Sequence, residues 1–192
     1  MTRSGVSRRH DRELLDALEA HPSEAFDGET WRVTAKGRDG LLGSTAGGRW
    51  SPPGEFEVLY TSLSPAGALA EIGYRLSLEP VWPSRLAHAL HRIAVRTSKS
   101  LRFADLNGLA TLGVDAKRYA SFDYTVTQAI AAAAFFLDFD GLIVPGARSR
   151  DLNLVTFTEK LDGGARLEVA ASEPVDWSAW RARQRTGARG TE

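Results

Sequence analysis

Residues 124–137 (YTVTQAIAAAAFFL) form the most apolar helical stretch of the chain and are dominated by small side chains. Such a segment has to be covered, and its alanines let neighbouring elements approach closely, so it predicts a central core helix. The alanine run 131–134 is packing material, not a low-complexity linker. At 192 residues, 43% apolar and 25% charged, the chain is long enough for one well-buried domain and short for two.

Around that helix the pattern is one of short strands and a few helices. Residues 10–20 place Leu14, Leu15 and Leu18 on one helical face with charged residues opposite, a short amphipathic helix. Trp31-Arg32-Val33 reads as a short strand followed by a polar loop through Thr45, and residues 57–61 read as a second strand. Ser64-Pro65 opens a helix running to Leu76, with Ser64 as N-cap and Pro65 at the first helical position; this puts Glu71 near its middle. Residues 86–97 end in an alternating stretch that predicts a strand, 101–106 extend the sheet, and 141–145, 152–157 and 167–169 supply further strands. The expectation is an α+β single domain with a mixed, largely antiparallel sheet. Its expected organisation is an N-terminal helix and lead-in over 1–24, the main domain over 25–175, and a basic tail over 176–192. From Arg181 that tail is rich in arginine and lacks apolar anchors, which predicts disorder.

The segment Gly47-Gly48-Arg49-Trp50-Ser51-Pro52-Pro53, then Leu59-Tyr60-Thr61-Ser62, then Ala70-Glu71-Ile72, sets a guanidinium, a phenol and a carboxylate into three kinds of backbone. The glycine pair permits a sharp turn or a close approach to a ligand, and the prolines fix an extended connection after the arginine. Taken singly, Arg49 reads as a surface turn residue, Tyr60 as a sheet tyrosine and Glu71 as a solvated helix residue. Glu71 stands out because Ala68, Leu69, Ala70 and Ile72 around it are apolar, so a charge there is costly unless paired.

Composition excludes several classes. Lys+Arg and Asp+Glu balance at 24 each, so no global field draws the chain to nucleic acid or a membrane surface. There are no cysteines, which removes disulfides, thiolate metal sites and a cysteine nucleophile and suits a reducing cytoplasm. The N-terminus is polar and basic without a signal-peptide core, and no run reaches the roughly 18 apolar residues of a membrane span. His88 and His91 fall in a predicted strand, where three-residue spacing points them to opposite faces, so no metal site is expected.

The order Trp31-Arg32, the Gly47–Pro53 segment, Leu59–Ser62, Ala66–Glu71, Gln128-Ala129, residues 140–145 and Asn153-Leu154-Val155 resembles the RES domain family over roughly residues 25–172. Known members are toxins of bacterial toxin-antitoxin pairs. They degrade NAD by hydrolysis or phosphorolysis, on a fold related to ADP-ribosyltransferases, and their antitoxins carry a helix-turn-helix domain. The family's arginine and glutamate correspond to Arg49 and Glu71. Its late serine has no counterpart, because the chain reads Val144-Pro145-Gly146; Thr125 and Thr127 ahead of Gln128 are the hydroxyls that some members place there instead.

The resemblance implies Arg49, Tyr60 and Glu71 as catalytic residues, with Arg32, Gly48, Trp50, Ser62, Thr125, Gln128 and Asn153 binding substrate and no metal or resident cofactor. NAD is then the substrate, and water or phosphate the acceptor. The chemistry suits these types: Arg32 and Arg49 fork onto phosphate oxygens, Tyr60 offers a flat face and a hydroxyl, and Glu71 stabilises positive charge growing on the ribose. Nicotinamidium is already a good leaving group, so a second carboxylate acting as general acid is not required. An antitoxin partner covering the mouth is expected, as is self-association through the N-terminal helix. An ADP-ribosyltransferase or a silent NAD-binding module are the alternative readings.

Overall fold

The computed structural model describes residues 11–83 and 85–188. Helix α1 (Arg12–Ala20) leads into strand β1 (Ser23–Ala35), followed by β2 (Val58–Ser62), α2 (Pro65–Ser77), β3 (His88–Arg102), α3 (Leu106–Ala110), α4 (Thr125–Phe136), β4 (Gly141–Pro145), β5 (Leu152–Phe157), β6 (Arg166–Pro174) and α5 (Trp177–Ala188). The strands pair in the order β1-β2-β5-β4-β3-β6, with a further β1–β3 pairing. Among the described strands only β3 and β4 pair in parallel. This is the mixed, largely antiparallel α+β domain that the pattern predicts.

Helix α4 is the core helix: Ile130, Ala131, Ala133 and Ala134 are fully buried. Its alanines admit α1, whose Leu18 is also fully buried, so the N-terminal helix is part of the domain body. Phe56 stacks on Phe135 of α4 with centroids 4.3 Å apart, fixing the loop before β2 to the same core. Ser64 caps α2 by accepting from the Gly67 N–H at 2.9 Å, with Pro65 in the first turn as expected.

Several elements exceed their sequence reading, β6 among them, which runs from Arg166 to Pro174 and not only over 167–169. β1 is a 13-residue strand, because the polar stretch before Trp31 pairs along β3. Outward ion pairs accompany that ladder, Glu29 with Arg92 at 2.9 Å and Asp27 with Arg96 at 2.7 Å. Exposed pairs of this kind each contribute only about 0–1 kcal/mol, so the backbone ladder carries the strand. The basic tail is likewise not disordered through its described part, since Trp177–Ala188 is helical. The anchors lie upstream of Arg181: buried Trp177 donates its indole N–H to His88 Nδ1 at 3.1 Å, and Trp180 packs on Gly73 of α2. Residues 1–10 and 189–192 of the predicted segments lie outside the described residues. No helix among the described residues is long and apolar enough to cross a membrane.

β1 and β2 share a single register pair, Trp31 with Ser62. A cavity of about 390 Å³ is lined by the end of β1, by Tyr60, Thr61 and Ser62 of β2, by α2, by the Gly47 turn and by the β4–β5 loop.

Candidate active site

The Gly47 turn is built to bring backbone against a phenol. Gly47 adopts φ +90°, a region that favours glycine. Gly48 N–H donates to Ser51 O at 2.9 Å and Ser51 N–H returns to Gly48 O at 3.4 Å, closing a small turn that presents Arg49 and Trp50. The Tyr60 hydroxyl accepts the Trp50 N–H at 2.9 Å and lies 3.0 Å from Ser51 Oγ. A Cβ on residue 48 would stand 2.8 Å from that hydroxyl, so the contact requires glycine. Burial pushes the Tyr60 phenol pKa up, partly opposed by the bond to Ser51, so the hydroxyl stays protonated at neutral pH.

Arg49 is clamped. Its guanidinium carbon lies 4.7 Å from the ring centroids of both Tyr119 and Tyr124, and Nη2 donates to Ser121 O at 3.1 Å. Cation–π contact with two rings together with the bond to Ser121 O restricts where the guanidinium can sit. Tyr119 is itself fixed by donating to Pro145 O at 2.7 Å, and burial raises its phenol pKa to about 12 against the opposing pull of Arg49.

Glu71 projects from α2 and accepts the Ala147 N–H at 3.1 Å. Among the described residues it is the sole carboxylate of the cavity lining, which contains five arginines: Arg32, Arg38, Arg49, Arg75 and Arg148. Among the described residues no basic side chain forms an ion pair with it. On β5, Asn153 stands in register with Ser62, and its buried Oδ1 has no hydrogen-bond partner. Asn153 belongs to the cavity lining, and an unpartnered amide oxygen is a group that a polar ligand satisfies.

The cavity therefore gathers Arg32, Gly48, Arg49, Trp50, Tyr60, Ser62, Glu71 and Asn153, all expected from the sequence. Four expectations change in detail. Thr125 does not line the cavity; its hydroxyl donates to Asp123 Oδ1 at 2.9 Å at the start of α4. Thr127 is also turned away, donating to Tyr124 O. Gln128 acts from behind the wall, its Nε2 donating to Gly48 O at 2.8 Å and reaching Ser51 O at 3.4 Å, so it shapes the turn. Arg32 commits Nη1 to Gly40 O and Leu42 O, both at 2.8 Å, which ties down the loop after β1. Burial, then the Arg38 charge, lowers its pKa.

At residue 146, an added Cβ would lie 2.8 Å from Asp151 O, so the tight β4–β5 loop selects glycine where a serine was looked for. His91 bonds Thr34 Oγ1 and Ser172 Oγ, and burial holds its pKa below the usual value; His88 pairs with Trp177. The residues that sequence reasoning missed are Tyr119 and Tyr124, which flank Arg49 from a segment without periodicity. Their one signal is the spacing of aromatics in Tyr119-Ala120-Ser121-Phe122-Asp123-Tyr124.

Residues 25–178 match the family model described as RES domain. Among curated proteins, the chain is 24% identical over 160 residues to NAD(+) phosphorylase MbcT of Mycobacterium tuberculosis, spanning 80% of this chain and 86% of that one. It is 34% identical over 137 residues to the probable NAD(+) phosphorylase Rv3189 of the same organism, spanning 70% of this chain and 66% of that one. Among solved structures, the fold is similar to the M. tuberculosis MbcT–MbcA toxin–antitoxin complex, with a TM-score of 0.76 at 22% identity over 90% of this chain and 97% of that one.

Proposed function

The chain belongs to the RES domain family, and from that premise we propose that it cleaves the bond between nicotinamide and ribose in NAD, with inorganic phosphate as acceptor. The observation that carries this reading is the lone Glu71 carboxylate in a cavity with five arginines. A dinucleotide brings a pyrophosphate for part of this arginine set, Arg49 first, and a ribose that gains positive charge as its glycosidic bond breaks. Arg49, held by Tyr119 and Tyr124, meets the pyrophosphate as a preformed fork. Tyr60 presents its ring to the nicotinamide, and the unpartnered Asn153 amide suits the carboxamide.

Glu71, oriented by the Ala147 N–H, is placed to bond ribose hydroxyls and to favour the cationic transition state over the neutral ground state of the sugar. The bonding electrons pass to the nicotinamide nitrogen, which is why one carboxylate suffices. The names of the mycobacterial relatives support phosphate over water as acceptor.

As a toxin of this kind the protein acts in the cytoplasm and is held by an antitoxin bearing a helix-turn-helix domain. The partner covers the mouth of the cavity, where Phe122 is 64% exposed. The similarity in fold to a protein solved with its antitoxin supports that partner. The test is Glu71→Gln, which keeps the size and the Ala147 contact and removes the charge. NAD turnover is expected to fall by about 100-fold or more with the melting temperature retained; near-normal turnover would remove Glu71 from the chemistry.

A further inference from the structure

Phosphorolysis brings a second anion up to a carboxylate, and that approach needs a cation that the dinucleotide does not occupy. Arg148 stands in the β4–β5 loop, which is closed by Gly146 N–H donating to Asp151 O at 2.7 Å and by Ser149 Oγ accepting from Asp151 N–H at 3.2 Å. Its neighbour Ala147 gives the N–H that orients Glu71. The Arg148 guanidinium lies 3.5 Å from the ring centroid of Tyr74, about one helical turn beyond Glu71 on α2, and Nη2 donates to Ala120 O at 2.8 Å. No carboxylate pairs with it among the described residues. A guanidinium held by a stack and one carbonyl keeps further N–H donors for an oxyanion.

Two hollows meet at this arginine. Tyr74 and Arg148 line both the catalytic cavity and a second hollow of about 700 Å³ between α2 and α5. The second adds Arg181 and Arg185 from α5 against the single carboxylate Glu79. Arg181 is steadied over Trp82 at 4.6 Å. With three arginines against one carboxylate the wall is net positive, which raises the local concentration of small anions and makes the hollow an approach for one.

We propose that Arg148 binds the attacking inorganic phosphate, and that the α2–α5 hollow is the route by which phosphate reaches it, separate from the mouth that admits the dinucleotide. This assignment rests on the phosphorolytic reading above. A phosphate oxygen bonds to the anomeric carbon as the carbon–nitrogen bond breaks. The electron pair goes to the nicotinamide nitrogen, whose positive charge it cancels. The hydrogen phosphate keeps its proton, so no further reactant is consumed. Arg148 offsets the repulsion between the incoming dianion and Glu71.

The experiment varies inorganic phosphate at saturating NAD for the wild type, Arg148→Ala, Arg148→Lys and the double variant Arg181→Ala/Arg185→Ala. Losing a charge-assisted bond raises the KM for phosphate about ten-fold in Arg148→Ala, with the KM for NAD within about two-fold of wild type and partial recovery in Arg148→Lys. The double variant loses kcat/KM for phosphate several-fold at low ionic strength, and the difference closes at high salt. An unchanged KM for phosphate in Arg148→Ala, beside a wild type that consumes NAD in phosphate, overturns this assignment and leaves the parent reading standing. A folded wild type that leaves NAD intact in phosphate overturns both.

Discussion

Gly48→Ala adds one methyl group at a point where the structure has no room for it. The new Cβ would stand 2.8 Å from the Tyr60 hydroxyl and 3.3 Å from Tyr60 Cζ. That hydroxyl is the acceptor for the Trp50 N–H and the neighbour of Ser51 Oγ, so moving it leaves a partly buried backbone donor unpaired. The unpaired donor costs about 1–3 kcal/mol and overpacking adds about 1–3 kcal/mol. For a chain of this length, the combined loss of roughly 2–6 kcal/mol lowers the melting temperature by roughly 4–24 °C.

The same displacement moves Arg49, the next residue, away from its tyrosine clamp, and NAD turnover falls with it. Tyr60→Phe provides the control. It removes the clashing oxygen, after which the closest contact is the 3.3 Å approach to the ring carbon, which a small shift relieves. Thermal unfolding of the two single variants and the double variant closes the cycle. The prediction is that Gly48→Ala costs much less in the Tyr60→Phe background, a coupling above the roughly 0.3–0.5 kcal/mol scatter of independent sites. Additive losses would refute the steric reasoning.

Arg49→Lys keeps the charge but loses the guanidinium contacts with Tyr119, Tyr124 and Ser121 O; kcat/KM for NAD is expected to fall about ten-fold or more, and wild-type kinetics would show that the clamp is incidental. Trp177→Ala removes the anchor of α5 and is expected to cost about 3–5 kcal/mol in urea unfolding, whereas an unchanged midpoint would mean that the C-terminal helix is not docked. Alkali should destabilise the fold through Tyr119. Its phenol pKa is raised to about 12, so the unfolded chain gives up this proton first and the contribution, complete below about pH 10, is lost as pH rises through 12. The unfolding free energy should fall by up to about 1.4 kcal/mol per pH unit across that window, and Tyr119→Phe should remove that component; an identical slope in both proteins would contradict it.

The legible parts of the site were those whose chemistry is local. Gly47-Gly48-Arg49 announces a turn that carries a cation, and Ser64-Pro65 fixes where α2 starts and hence where Glu71 falls. What the sequence hid depends on partners distant in the chain. Tyr119 and Tyr124 acquire meaning only when the chain folds and brings both rings against the Arg49 guanidinium. Thr125 and Gln128 lie three apart at one end of a helix, and nothing in that spacing tells that one turns its hydroxyl to Asp123 while the other reaches Gly48. The polar residues before Trp31 resemble a loop because their side chains face solvent, yet their backbone is taken up by β3. The C-terminal helix hides its anchors, Trp177 and Trp180, just ahead of the arginine-rich stretch that suggested disorder.

The central claim is tested most directly by incubating the purified chain with NAD in phosphate-free and phosphate-containing buffer and identifying the products by mass. The account predicts loss of NAD only with phosphate, giving nicotinamide and ADP-ribose that carries the new phosphate on its anomeric carbon. Equal loss in both buffers to plain ADP-ribose, or intact NAD with folded, partner-free protein, would contradict it.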